Sequence, residues 1–237
     1  MAAPLGLSFA TLPPVLPCDE PLIRRGRPSV AEAEALSGRI LDASWDVLLA
    51  GGFDNFTFDR VARHAHIGKA TIYSRFPGKI DLMHALLERR IALRNRYFRQ
   101  RGADLPVEQA FRLRAADVMK MLFAPDGVLM ERLTDWIDQE SGQGQRMRAN
   151  AYTNAIESIT LALTERREAG ELHVPDIDLA ARLWLEGLIG HARLANTEGA
   201  SSAAEIERWA CDYTRFFFAG LRVIAEDDNQ AAKPSPL

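Results

Sequence analysis

TFDRVARHAHIGKATIYSRFPGK, residues 57–79, reads as two short helices joined by a tight turn. Thr57 can cap the first helix with its hydroxyl, and Asp59 sits in its first turn, where negative charge suits the helix dipole. Phe58, Val61, Ala62 and Ala65 recur at i, i+3, i+4 and i+7 and give this helix one apolar face. Ile67 and Gly68 interrupt it, and a second helix starts near Lys69. Ile72 and Phe76, four residues apart, can face inward together. That leaves Lys69, Ala70, Thr71, Tyr73 and Ser74 facing out, a set too small, hydroxylic and basic to be core. Pro77-Gly78 ends the helix. This is the layout of a helix-turn-helix, whose second helix enters the DNA major groove. There, small side chains allow close approach, and hydroxyls and Lys donate to phosphates or bases.

The string also resembles the DNA-binding domain of the tetracycline-repressor (TetR) family of transcriptional regulators. The resembling residues are Gly52-Phe53, Thr57, Val61-Ala62, Ala65, Ile67, Lys69, Thr71-Ile72-Tyr73, Phe76 and Lys79, and the likeness covers roughly residues 34–94. Three positions depart from the family pattern. His66 stands where Gly is usual and would permit a positive φ, Gly68 replaces a capping Ser, and Arg75 replaces an aromatic residue or His. The resemblance implies a repressor that binds a double-stranded DNA operator as a homodimer and is released by a small effector. The expected DNA-facing residues are Arg25, Arg27, Thr57, His66, Lys69, Ala70, Thr71, Tyr73, Ser74 and Lys79. In the resembled family the Tyr and the Lys after the Phe commonly hold the phosphate backbone.

Charge is distributed in keeping with this. The net charge is only −3, but residues 24–101 hold fifteen Lys and Arg against eight Asp and Glu, and residues 102–237 hold fourteen against twenty-two. The basic part is the part with the helix-turn-helix, as phosphate neutralisation requires. The two cysteines, Cys18 and Cys211, have no metal spacing and make no disulfide framework, so a reduced, cytoplasmic setting is expected. Five prolines between Pro4 and Pro21 break up the N-terminus, which does not read as a signal peptide, and no stretch of 18 apolar residues could span a membrane. His64 and His66 form the one close histidine pair, at a turn unsuited to a metal. No catalytic constellation, phosphate loop, metal site or cofactor site stands out, so the chain is not expected to be an enzyme.

The predicted fold is all-α. Residues 1–28 read as a Pro-rich arm ending in Arg24-Arg25-Gly26-Arg27-Pro28; such an arm suits either minor-groove contact or a solubilising tail. A three-helix DNA-binding domain is expected over 29–78. Its first helix runs from Ser29 or Val30 to about Ala50, with Leu36, Ile40, Ala43, Val47 and Leu48 inward. Phe53 and Phe56 are expected to plug its core. A fourth helix, from Lys79 to about Arg101, should link this head to a helical domain ending near 226, followed by a tail over 227–237. Further helices are expected near 107–123, 127–140, 146–169, 176–196 and 203–225, separated by Gly and Pro breaks.

Met119, Phe123, Trp136, Met147, Tyr152 and Trp184 are adaptable or aromatic side chains in the middle helices and are candidates for lining a pocket for a small apolar or aromatic effector. At this spacing they also fit ordinary core. The last two helices carry Leu183, Gly187, Gly190, Leu194, Trp209, Tyr213, Phe217 and Gly220. Three neighbouring rings at 216–218 spread around a helix, so one face must meet another surface, and the two glycines would let a partner helix approach. The resemblance places the dimer interface on these helices. Two other readings stay open: a constitutive DNA-binding protein with no ligand, and a helical ligand-binding or enzymatic protein with an incidental helix-turn-helix.

Overall fold

A computed structural model of the chain describes residues 29–198 and 202–231. The arm with Arg25 and Arg27 lies outside the described residues. All regular structure among those described is helical: α1 (Val30–Gly51), α2 (Phe58–His64), α3 (Lys69–Tyr73), α4 (Lys79–Gln100), α5 (Val107–Phe123), α6 (Pro125–Ser141), α7 (Gly144–Glu168), α8 (Ile177–Glu198) and α9 (Ala203–Ala231).

Local chemistry sets these boundaries. Ser29 and Glu32 cap α1 reciprocally: the Ser29 hydroxyl accepts from the Glu32 amide at 3.2 Å, and the Glu32 carboxylate accepts from the Ser29 amide at 2.7 Å. Gly52, at φ 67°, terminates α1 in a conformation few other residues tolerate. Thr57 caps α2, accepting from the Arg60 amide. Asp81 closes the start of α4 by accepting from the Gly78 amide at 2.9 Å. Pro125 occupies the first turn of α6, where its missing N–H is harmless. α9 continues past the expected end near 225 to Ala231, because no Gly or Pro intervenes before Pro234.

Two apolar clusters organise the helices. One is built from α5, α7, α8 and α9 and centres on Phe111, whose ring meets Trp184 and Phe218 edge-on at 5.1 and 5.5 Å. Ion pairs Lys120–Glu207 and Arg222–Glu108 flank the α5–α9 contact. The other cluster gathers Ile40, Trp45 and Leu48 of α1, Phe56, Val61 of α2, Ile72 of α3 and Leu82, Met83, Leu86 and Leu87 of α4. Leu129, Leu133 and Ile137 of α6 complete it. The core around the helix-turn-helix therefore includes a helix from well beyond residue 78. The Trp45 indole N–H reinforces this join by donating to Asp126 on α6 at 2.6 Å, and the Arg90 guanidinium lies 4.2 Å over the Trp45 ring. Trp45 was absent from the inward residues expected from periodicity, yet it is among the largest fully buried side chains.

Candidate nucleic-acid interface and its supports

The turn between α2 and α3 depends on one residue. His66 is the only non-glycine among the described residues with positive φ, at 54°. It occupies the left-handed position at which the resembled pattern usually carries Gly, and it holds it at some conformational expense. The Ile67 amide then donates back to the Ala62 carbonyl at 3.0 Å, closing the turn. Gly68 starts α3 without a side-chain cap.

α3 is anchored by Ile72, fully buried, and by Phe76 just beyond it. Lys69, Ala70, Tyr73 and Ser74 are exposed, while Thr71 is half-buried. Two contacts lock this face to α2. The Lys69 ammonium pairs with Asp59 at 3.0 Å, and that hydrogen bond raises the Lys69 pKa. The Tyr73 ring packs on Phe58 at 4.9 Å with its edge still in solvent. The Ser74 hydroxyl donates to the Thr71 carbonyl at 2.8 Å, so its lone pairs rather than its proton face outward. Lys79 lies at the base of the face, over the rings of Phe56 (5.7 Å) and Trp136 (5.1 Å). Thr57 and His66 are exposed at its margins. Arg60 and Arg63, which are not among the expected DNA-facing residues, are also exposed on α2. Their alternation with the buried Val61 and Ala62 was the available signal.

The six candidate pocket residues are not gathered around one space. Met119 and Trp184 are buried in the α5–α9 cluster, with Phe123 and Tyr152 packed at its edge. The Tyr152 hydroxyl donates to Glu186 at 2.6 Å. Trp136 instead joins the cluster around the helix-turn-helix and stacks on Phe53 at 5.9 Å and 15°. Its apolar face was legible, but the helix it would meet was not. Met147 alone of the six lines a cavity between α4, α5, α6 and α7, about 50 Å³, together with Ile91, Arg94, Met121, Met130 and Thr134 among others. That volume holds a few waters.

The residues expected at a dimer surface divide in two. Gly187, Trp209 and Tyr213 serve the chain's own α8–α9 contact. A side chain on Gly187 would collide with the Tyr213 hydroxyl, its Cβ only 2.3 Å away, and that hydroxyl donates to the Leu183 and Trp184 carbonyls at 2.9 and 2.8 Å. Trp209 stacks between His191 and Tyr213, at 3.9 and 4.7 Å. Burial raises the Tyr213 pKa to about 12. Phe217 is half-buried against the core. Leu183, Gly190, Leu194 and Gly220 lie exposed, and beside them are Leu179, Phe216, Val223 and Ile224. Phe216, 80% exposed, is the outward ring of the 216–218 triplet. The exposed positions fall at i, i+4, i+11 and i+15 on α8 and at i, i+4, i+7 and i+8 on α9, so each helix presents one apolar stripe.

No helix among the described residues is long and apolar enough to cross a membrane. Comparison with known proteins places the helix-turn-helix region within a family profile described as "Bacterial regulatory proteins, tetR family", matched over residues 40–86. The chain is 38% identical over 64 residues to the HTH-type transcriptional regulator SrpR of Pseudomonas putida, 27% of this chain and 30% of that protein. It is 41% identical over 59 residues to the DNA-binding transcriptional repressor TetR of Mycobacteroides abscessus, 25% of this chain and 31% of that one. The match thus spans about a third of these relatives' lengths. Over most of the chain the likeness is one of fold. A solved structure assigned as a TetR-family transcriptional regulator from Mesorhizobium loti superposes with a TM-score of 0.69 at 20% identity, over 79% of this chain and 97% of that one. Reduced Escherichia coli NemR superposes with a TM-score of 0.62 at 16% identity, over 77% and 97%. The helix-turn-helix segment thus lies inside the profile of the bacterial TetR family of regulatory proteins, and over most of the chain the helices share the all-α arrangement of these solved structures.

Proposed function

We propose that this chain is a sequence-specific transcriptional repressor that binds a double-stranded DNA operator as a two-fold homodimer and is released by a small, largely apolar molecule. The observation that carries the reading is the outer face of α3. Ile72 fixes the helix from within while Lys69, Ala70, Thr71, Tyr73 and Ser74 remain available outside. Tyr73 and Lys79 are suited to phosphates, Ala70 and Thr71 to base edges. Asp59 holds Lys69 in place until a phosphate competes for it. The apolar stripes of α8 and α9 support the homodimer, since contiguous exposed apolar surface marks an interaction site. An isologous pair presents two equivalent heads, whose recognition helices must lie about 34–36 Å apart to enter successive major grooves.

Release follows from linkage. A molecule that binds better to an arrangement with another head spacing lowers DNA affinity by its differential binding energy, typically about 1–3 kcal/mol. α4 and α6 are the natural levers, because both belong to the core of the head. Selection of bound sequences from random duplex DNA tests the reading, with a palindrome or near-palindrome as the expected product. Failure to enrich any sequence would sink it. The rival reading, a constitutive DNA-binding protein, draws support from the close packing of the middle helices, where the cavity beside Met147 measures only about 50 Å³. Thermal-shift screening followed by operator-release assays separates the two.

A further inference from the structure

The two lysines of the candidate interface are held in opposite ways. Lys69 is tied to a carboxylate, Asp59, at 3.0 Å. Lys79 makes no ion pair or hydrogen bond among the described residues; its ammonium lies over two aromatic rings, 5.7 Å from the centroid of Phe56 and 5.1 Å from that of Trp136. Lys79 is the first residue of α4, the end of a helix where a cation meets the positive pole of the dipole. The electron-rich ring faces offset that repulsion. The carboxylates nearest in sequence to Lys79 and Trp136 are engaged elsewhere. Asp81 accepts from the Gly78 amide at 2.9 Å, Asp135 pairs with Arg148 at 2.9 Å, and Asp138 accepts from the Gln145 amide at 3.1 Å. Trp136 itself comes from α6, outside the helix-turn-helix. It is fixed by its stack on Phe53, at 5.9 Å and 15°, and on its own helix it lies between Leu133 and Ile137, both fully buried in the head cluster.

Resting on the regulator reading above, we infer that Trp136 is a positioning residue for DNA binding, whose ring face holds the Lys79 ammonium ready for an operator phosphate. A free lysine loses side-chain freedom when it binds, and one already resting on a ring has lost part of it beforehand. A ring also differs from a carboxylate in what it leaves to the phosphate. Asp59 must be displaced from Lys69, whereas a π face attracts the ammonium from one side and leaves N–H donors free on another. The DNA surface is thus completed by a side chain that touches no DNA and belongs to a helix well beyond the helix-turn-helix.

The test uses the full chain and its selected operator, with affinity measured over a series of salt concentrations and folding checked by thermal melts. Trp136→Met keeps much of the apolar volume and removes the π face. It should weaken operator binding by about twofold to fivefold, the size of an exposed cation–π contact, and lower the slope of log affinity against log salt towards that of Lys79→Ala. Trp136→Phe, which keeps a ring, should restore most of both. In a chain that already carries Lys79→Ala, the Trp136→Met change should cost nothing further. A merely structural tryptophan behaves otherwise. Trp136→Met would then weaken binding equally with and without Lys79 and leave the salt slope unchanged; that result, or a Trp136→Phe no better than Trp136→Met, would overturn the inference. If Trp136→Met does not fold, a fluorinated tryptophan at position 136, with a face poorer in electrons, decides by the same two readouts. Absence of any selected operator, or a Lys79→Ala chain with unchanged affinity and slope, strikes the DNA reading of Lys79 and the inference together. A Lys79→Ala chain that loses about one unit of slope while Trp136→Met loses none defeats the inference and leaves the DNA reading standing.

Discussion

The molecule leaves two faces uncovered, and they differ in kind. The outer face of α3 exposes an ammonium, hydroxyls and a methyl, with Lys69 and Tyr73 held by contacts to α2 and Ser74 by its own turn. The stripes of α8 and α9 expose the large apolar side chains of Leu179, Leu183, Leu194, Phe216, Val223 and Ile224. The first face is polar and pre-arranged, which suits a partner that supplies charge and leaves when salt competes. The second is apolar and broad, which suits a partner that stays. On the proposed reading, both faces on one chain would let a permanent pair make a reversible contact.

Breaking the apolar face should have the largest effect. Phe216→Glu puts a charge on the most exposed ring and should convert a dimer to monomers by light scattering. Operator affinity should then fall by roughly a hundredfold or more, because the second half-site is no longer tethered to the first. Retention of a dimer would show that the stripes face something else.

Breaking the polar face should have a smaller effect of a different sort. Lys79→Ala should weaken binding severalfold for all sequences and reduce the slope of log affinity against log salt by about one unit. A change in sequence preference instead would move Lys79 from the phosphates to the bases.

Tyr213 sharpens the comparison from within the α8–α9 seam. Its folded pKa, raised by burial to about 12, exceeds the ordinary value of 10.0. Its contribution to stability is therefore complete below pH 10 and is lost as the pH rises towards 12. Tyr97, also raised to about 12 by burial and its bond to Asp117, titrates in the same window. Tyr213→Phe should cost about 1 kcal/mol at neutral pH and reduce the alkaline loss without abolishing it, as read by denaturant titration.

The smallest effect expected is at the turn. His66→Gly relieves the positive φ and should stabilise the chain by about 0.5–1 kcal/mol. A loss of stability would mean that the imidazole makes up for its backbone.

The two faces were unequally legible in the sequence. The helix-turn-helix is short-range: the Thr57 cap, the spacing of Val61, Ala62, Ile72 and Phe76, and the strained position at 66 all lie within twenty residues of one another. Helix positions elsewhere were equally accessible, since Gly and Pro mark the breaks. Which stripe of a two-faced helix meets its own chain was not. Tyr213, Trp209 and Gly187 were grouped with Leu183 and Leu194, although they are separated by the direction from which α8 and α9 meet. Trp136 and Trp184 look alike in sequence but belong to different cores, because the contact of α6 with the head joins segments about eighty residues apart, as Trp45 and Asp126 do. Periodicity reports that a face is apolar and is silent about its neighbour.

The participation of α6 in the head has a practical consequence for anyone building hybrid sensors. A fusion that cuts this chain after α4, to graft its DNA specificity onto another input module, would strip Leu129, Leu133 and Ile137 from the hydrophobic interior and orphan the Trp45 indole. The transplanted piece would then lose the α6 side of the cluster that α4 shares through Leu82, Met83, Leu86 and Leu87. A workable graft must carry α6 with it or rebuild its contact surface in the host, so the unit that can be exchanged here is larger than the helix-turn-helix itself.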